Sequence, residues 1–412
     1  MHRVTTYHYI LNTIMNPDLN SLYPYPFEKL NALKEGITPP SSLTHIALSI
    51  GEPKHPAPDF IFAELKHQLS ALEKYPLTKG LLSLREAIAK WLTQRFKLTP
   101  NAINPERHIL PVSGTREALF AFAQAVIDRH QNPIVIMPNP FYQIYEGAAL
   151  LAGAEPYYLN TTAENNYLPD LDSIPEDVLK RCQLLYLCNP GNPTGTVMSI
   201  SYLKQAIELA LQYDFVIASD ECYSEIYFDE NTPPAGLLQA ATEMGIDDFK
   251  NCVVFHSLSK RSNLPGLRSG FVAGDANIMA EFLKYRTYHG CALPYHHQYA
   301  SILAWQDEQH VIDNRAEYTN KFNRVINILS PVIDITLPDA AFYFWLKVPQ
   351  DDTVFARNLF EQQNLTVLPG QFLSRETSTG NPGAQHIRIA LVAPMEECVD
   401  AANRIKRYLQ TQ

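Results

Sequence analysis

Cysteine is scarce and scattered in this 412-residue sequence: Cys182, Cys188, Cys222, Cys252, Cys291 and Cys398 form no C-x-x-C pair. That excludes a zinc knuckle and a dithiol redox motif, and the low density argues against a disulfide framework. Reduced thiols in a soluble, cytoplasmic protein are expected instead. No basic block interrupts a formal charge of −10, so long-range electrostatics repel nucleic acid and anionic membrane surfaces. No apolar run approaches the length that spans a bilayer. The opening MHRVTTYHYILNTIMNPDLN has one arginine, an apolar stretch broken by Asn12 and Thr13, and no small-residue cleavage site. It is therefore not expected to be a signal peptide. No G-x-G-x-x-G follows a candidate strand, which disfavours a dehydrogenase that binds a dinucleotide. Repeats and low-complexity tracts are also missing.

What is present is 46% hydrophobic residues against 18% charged, enough to bury large cores in two closely packed domains. Short apolar segments alternate with helix-period segments, the pattern of an α/β fold with a mostly parallel sheet flanked by helices. Strands are expected at Ile134–Met137, Leu184–Leu187, Phe215–Ala218, Val253–Phe255 and Gly270–Ala273, and helices at Ser83–Arg95, Glu117–Arg129 and Ser201–Tyr213. Polar turns follow several strands, and ligands gather at the carboxyl ends of such strands. From His296 a long helical pattern runs to about Ser330, followed by strand-like AFYFWLKV, TVLPG and HIRIALV and a terminal helix. The expected division is an N-terminal extension and arm (1–50), a large domain (51–295) and a smaller α+β domain (296–412). The proline-rich stretch from Asn16 to Pro40 reads as an extended arm.

Four segments carry chemistry. In HSLSKRSNLPGLRSG (256–270), Lys260 follows a strand and two serines, and Arg268 comes eight residues later. A nucleophilic lysine must be a neutral amine, which a buried strand end favours. The serines and Arg268 can grip a phosphate, although an isolated S-x-S-K is equally an ordinary surface loop. In SDECYSEIYF (219–228), Asp220 sits where a strand should end. A carboxylate there can keep a pyridine nitrogen protonated, or it can cap a following helix. In CNPGNPTG (188–195), two Asn-Pro steps and two glycines make a tight loop, in which Asn192 can donate to a ligand and Asn189 fits simple turn chemistry. In PVSGTREALF (111–120), Ser-Gly-Thr opens a helix, which serves as an anion site or as a cap.

In order and spacing these segments resemble the class I/II aminotransferases of the fold-type-I pyridoxal-phosphate family, from Met15 onward. The resemblance implies pyridoxal 5′-phosphate as cofactor, bound by the large domain and carried as a Schiff base on Lys260, which also shuttles the substrate α-proton. It implies Asp220 as partner of the ring nitrogen, Asn192 and Tyr223 as ligands of the phenolic oxygen, and Tyr142 as the stacking ring, with neighbouring Phe141 the alternative. Gly114, Thr115, Ser257 and Arg268 resemble the phosphate cup. Arg388, in HIRIALV, resembles the arginine that forks the substrate α-carboxylate, and Gly51, in SIGEP, the glycine that closes over it. Tyr75 matches a tyrosine that reaches the phosphate of a neighbouring subunit, which implies a homodimer with shared sites. Residues before Met15 fall outside the resemblance and are expected to be dispensable.

NPDLNSLYPYPFEKL, SKRSNLPGLRSGFVAGD and KYRTYHGCALPYHHQYAS look most like bacterial members that exchange an amino group between N-succinyl-LL-2,6-diaminopimelate and 2-oxoglutarate. In YRTYHGCALPYHH no His/Cys pair has a recognised zinc spacing, so no metal is expected. Arg286 either contacts a distal substrate carboxylate or makes a structural salt bridge. An aminotransferase of aspartate or alanine type, and a carbon–sulfur β-lyase on the same fold, are the alternatives.

Overall fold

The computed structural model describes residues 15–411. The segment expected to be dispensable, residues 1–14, lies outside them. β1 (Ile46–Ala47) pairs in parallel with Leu365–Thr366, far along the chain. A seven-stranded sheet is built by β2 (Ile109–Val112), β3 (Ile134–Asn139), β4 (Glu155–Asn160), β5 (Cys182–Cys188), β6 (Val216–Asp220), β7 (Cys252–Ser257) and β8 (Gly270–Gly274), in the order β2-β8-β7-β6-β5-β3-β4. Only β8 runs antiparallel to its neighbours. Every residue of β3 and β7 is buried, as expected of parallel strands covered by helices on both faces.

The two strands absent from the sequence expectations are the edges. β2 contains Pro111, tolerable because only β8 pairs with it, and β4 is largely half-exposed, so neither reads as an apolar run. Because β3, β5, β6 and β7 are parallel, the segments following Asn139, Cys188, Asp220 and Ser257 emerge at one end of the sheet.

Two smaller sheets follow: β10 (Leu365–Thr366) pairs with β1, and β9 (Tyr343–Lys347), β11 (Leu368–Pro369) and β12 (His386–Ala390) form an antiparallel sheet in the order β11-β12-β9. The expected domain boundary at residue 296 needs correction. The long helical pattern is two helices, Tyr295–Gln306 and Gln309–Leu329. Ala300, Ala304 and Trp305 of the first lie in the large core, with Trp305 against Trp91 and Phe271 at centroid distances of 4.7 and 5.0 Å. Phe322, Val325 and Leu329 of the second enter the small-domain core with Phe344. The apolar faces thus divide the chain near Asp307. The arm is not simply extended either. Its helix Pro26–Lys34 buries Leu30 against Leu368 and Leu373, while Ile46 and Leu48 join the small-domain core.

Candidate active site

Where the strand ends converge, a cavity of about 150 Å³ is lined by residues from both domains and the arm, among them Tyr25, Arg116, Asp220, Lys260, Tyr343 and Arg388. β7 delivers Lys260. The Ser257 hydroxyl caps a one-turn helix, Leu258–Arg261, accepting from Ser259 N at 3.1 Å, and Lys260 sits in that turn. Its ammonium is half-buried and donates to the Gly51 carbonyl. Burial, reinforced by the charges of Arg388 and Arg116, lowers its pKa to about 8.

Asp220 ends β6 and is 4% exposed. Turns follow it rather than a helix, so it is not a helix cap. Tyr145 donates to its Oδ2 at 2.7 Å and the Cys222 backbone N–H to its Oδ1 at 3.3 Å. Burial pushes this carboxyl above its ordinary range. Tyr223 lines the cavity and exchanges a 2.7 Å hydrogen bond with the hydroxyl of Tyr343. Tyr142 also lines it, with Arg116 Nε donating to the phenol at 2.6 Å, whereas Phe141 is buried against Tyr158.

Arg388 comes from β12. Nη1 donates to Asn192 Oδ1 at 2.9 Å, Nη2 to the Ser49 carbonyl at 2.8 Å, and the buried Nε has no protein partner. Asn189, by contrast, is structural, bonded to Ala235 O and Met198 N. Gly51 cannot carry a side chain here, because a Cβ would overlap the Tyr343 hydroxyl.

Gly114 precedes the helix Thr115–Val126 with φ +87°, and a Cβ on it would overlap the Arg268 guanidinium. Gly270 likewise backs Thr115 and Ser257 together, at 3.3 and 3.4 Å from where its Cβ would stand. A helix N-terminus, a serine and an arginine are thus packed into one small cradle beside the cavity, an anion site by charge and by backbone donors. The donor set fits pyridoxal 5′-phosphate, with an amine of lowered pKa, a buried carboxylate, an aromatic wall and an anion cradle.

Two expectations land neither in the cavity nor in the cradle beside it. Tyr75 is 98% exposed. Arg286 is a correction: it is fully buried, gripping Glu117 through Nη1 at 2.9 Å and Nη2 at 3.0 Å, and bonds the Cys291 carbonyl at 2.8 Å. With its fork spent on Glu117, it is a structural ion pair and not a distal-carboxylate contact. Glu117, His289 and Cys291 bring ligand-type atoms within 4.8 Å of one another, but both Glu117 oxygens serve Arg286, whose charge opposes a cation. Sequence reasoning missed Tyr145, Tyr343, Arg116 and Tyr25. For Arg116 a signal existed, since it is the residue after Ser-Gly-Thr at the helix start.

Among the described residues no helix is long and apolar enough to cross a membrane. The family model for aminotransferase class I and II matches residues 44–405. LL-diaminopimelate aminotransferase of Dehalococcoides mccartyi (strain 195) is 34% identical over 359 residues, covering 85% of this chain and 88% of that protein. Its namesake in Aquifex aeolicus (strain VF5) is 32% identical over 395 residues, covering 94% and 97%. The solved aminotransferase from Neisseria meningitidis Z2491 is 52% identical with a TM-score of 0.92, over 96% of this chain and 100% of that one. The aminotransferase AspB from Helicobacter pylori 26695 is 38% identical with a TM-score of 0.86, over 95% and 100%. A match over almost the whole chain and a site built for its cofactor lead to one conclusion: this chain belongs to the class I and II aminotransferases and depends on pyridoxal 5′-phosphate.

Proposed function

We propose that the chain transfers the α-amino group of N-succinyl-LL-2,6-diaminopimelate to 2-oxoglutarate, a step of diaminopimelate and lysine biosynthesis. One observation carries this reading. Two guanidinium groups line the cavity, Arg388 and Arg116, while the one carboxylate lining it is Asp220, buried at the strand end. Arg116 is exposed and spends only its Nε on Tyr142. A donor with an α-carboxylate for Arg388 and further carboxylates for Arg116 matches these charges. Free diaminopimelate presents a distal ammonium, for which the lining offers no carboxylate. The diaminopimelate skeleton is supported by the name shared by the relatives.

Pyridoxal 5′-phosphate, when bound, supplies the electron sink that makes the substrate α-proton acidic. Gly114 and Thr115 (through backbone N–H), Ser257 and Arg268 would hold its phosphate, Tyr142 its ring face, Asn192 and Tyr223 its phenolic oxygen, and Asp220 its ring nitrogen. Arg388, braced by Asn192 and Ser49, orients the substrate by its α-carboxylate, and the Gly51 backbone closes over it. Lys260, with a pKa lowered to about 8, is neutral in an appreciable fraction at physiological pH, so it can form the cofactor linkage and move the α-proton.

The enzyme acts as a homodimer in which Tyr75 reaches the neighbouring site. In support, Tyr75 is exposed together with its chain neighbours Leu72 and Leu77, apolar side chains that a second copy could cover. Six free thiols fit a cytoplasmic setting. The test is a donor panel with 2-oxoglutarate, comprising N-succinyl-LL-2,6-diaminopimelate, free LL-diaminopimelate, aspartate, glutamate and alanine. The succinylated donor should give the highest kcat/KM, and Arg116→Ala should depress it by at least about tenfold relative to alanine. A preference for the free diamino acid overturns the succinylated assignment. Release of a thiol, ammonia and a 2-oxo acid from an added thioether amino acid, without 2-oxoglutarate, would point to a carbon–sulfur β-lyase.

A further inference from the structure

We propose that Tyr145 is a positioning residue that keeps Asp220 ionised and aimed at the ring nitrogen of the bound cofactor. The proposal rests on the assignment of Asp220 to that nitrogen. Burial alone drives the Asp220 carboxyl toward its neutral form. A protonated carboxyl cannot stabilise a cationic ring, so the chain must supply something that favours the anion.

The titratable groups facing Asp220 are Tyr142 and Tyr145 from the segment after β3, Tyr186 and Cys188 from β5, Cys222 beyond β6, His256 from β7 and Tyr343 from β9. Burial holds the thiols and phenols among them in their neutral forms. His256 is turned to Glu221, with Nε2 at 3.2 Å from its Oε2. No cation therefore touches Asp220 among the described residues. Asp220 accepts a long 3.3 Å bond from the Cys222 backbone N–H and a short 2.7 Å bond from the Tyr145 hydroxyl, and the neutral Cys222 thiol beside it favours the anion as well. A short O–H donor to a carboxylate favours the ionised form.

Tyr145 is also held rigidly enough to aim. It is fully buried, its ring stacks on Tyr186 at 4.6 Å and 11°, and the Tyr186 hydroxyl is pinned to the Leu119 carbonyl at 2.7 Å. Tyr145 also meets Tyr142, in the cavity wall, in a near-perpendicular contact at 5.8 Å and 88°. The phenol thus links the wall of the cofactor site to the group at its floor.

Tyr145→Phe keeps the ring and its stack and removes only the hydroxyl. The readout is the pH titration of the visible absorbance of the holoenzyme, alongside cofactor content. Losing a hydrogen bond to a charged group makes Asp220 more basic by about one to two pH units. The proton shared with the ring nitrogen is then drawn to the carboxylate, the ring loses positive charge, and the titrating proton at the Lys260 linkage is held to higher pH. The midpoint should therefore move upward, by about half a unit or more. In an Asp220→Asn background, Tyr145→Phe should produce no further movement. An unmoved midpoint in Tyr145→Phe, or equal movement in both backgrounds, overturns the role of Tyr145. If Asp220→Asn alone leaves the midpoint in place, the assignment of Asp220 fails and this proposal fails with it.

Discussion

Replacing Arg388 tests the site where its geometry is most completely determined. Arg388 is 5% exposed, and its guanidinium lies 4.6 Å from the Tyr343 ring centroid and commits two of its five N–H donors to Asn192 Oδ1 and Ser49 O. Nε has no protein partner among the described residues, and the fork is the group proposed to hold the substrate α-carboxylate. Each charge-assisted bond is worth about 1.5–3 kcal/mol, so losing the fork with Arg388→Ala should lower kcat/KM by about a hundredfold or more. Arg388→Lys keeps the charge but offers a point donor in place of a planar fork, and the expected loss is about tenfold. Because every amino donor presents the same α-carboxylate, both losses should be equal across alanine, glutamate and the succinylated diamino acid. The assay is steady-state kcat/KM for each donor, with cofactor content checked so that a disturbed Asn192 is not mistaken for lost substrate binding. A loss confined to donors with a distal charge would refute the reasoning, because it would move Arg388 to the other end of the substrate.

Borohydride treatment of the holoenzyme should fix the cofactor to Lys260 and to no other lysine, as peptide mapping will show. In cofactor-free protein its amine should gain reactivity as pH rises through about 8, because burial leaves the uncharged form favoured above that point. Gly114→Ala forces a side chain onto a backbone at φ +87° and into the Arg268 guanidinium. Strain of about 1–3 kcal/mol should weaken cofactor affinity by roughly tenfold or more, measurable by fluorescence titration. Mixing inactive Tyr75 and Lys260 variants should restore activity through hybrid dimers, and an active monomer would exclude the shared site. Arg286→Ala should lower the unfolding midpoint, with a cost of about 3 kcal/mol for the orphaned buried partner, and should reduce activity equally for charged and uncharged donors.

Much of this architecture was legible because the chemistry is local. β3, β5, β6, β7 and β8 announce themselves as apolar runs since they are covered on both faces, and Asp220 at the end of β6, with Asn192 and Lys260 in the segments after β5 and β7, lies within a few residues of a strand end. The site's remaining members were not legible because their partners are remote. Tyr343 meets Tyr223 from 120 residues away, and Tyr145 meets Asp220 from 75 residues away. Nothing in a window of sequence distinguishes such a tyrosine from an ordinary core aromatic. The domain boundary failed for a related reason. Helical periodicity runs on from His296 to Ser330, but Ala300, Ala304 and Trp305 face one core while Phe322, Val325 and Leu329 face another.

Arg286 was misplaced for a different reason, because the signal was there. Asp275 caps the helix Ala276–His289, accepting from the N–H groups of Asn277 and Ile278, and Gly290 ends it at φ +82°. Between those caps Met279, Phe282 and Arg286 fall on one face at helical spacing, and all three are buried. An arginine on that face must find a carboxylate inside the protein, and the helix Thr115–Val126 provides Glu117. Glu117 Oε1 also accepts from the Ser113 N–H at 3.0 Å, next to Gly114. The pair therefore fastens the helix Ala276–His289 to the start of the helix that carries Gly114 and Thr115, so any effect of Arg286 on the proposed phosphate cradle should be the same for every substrate.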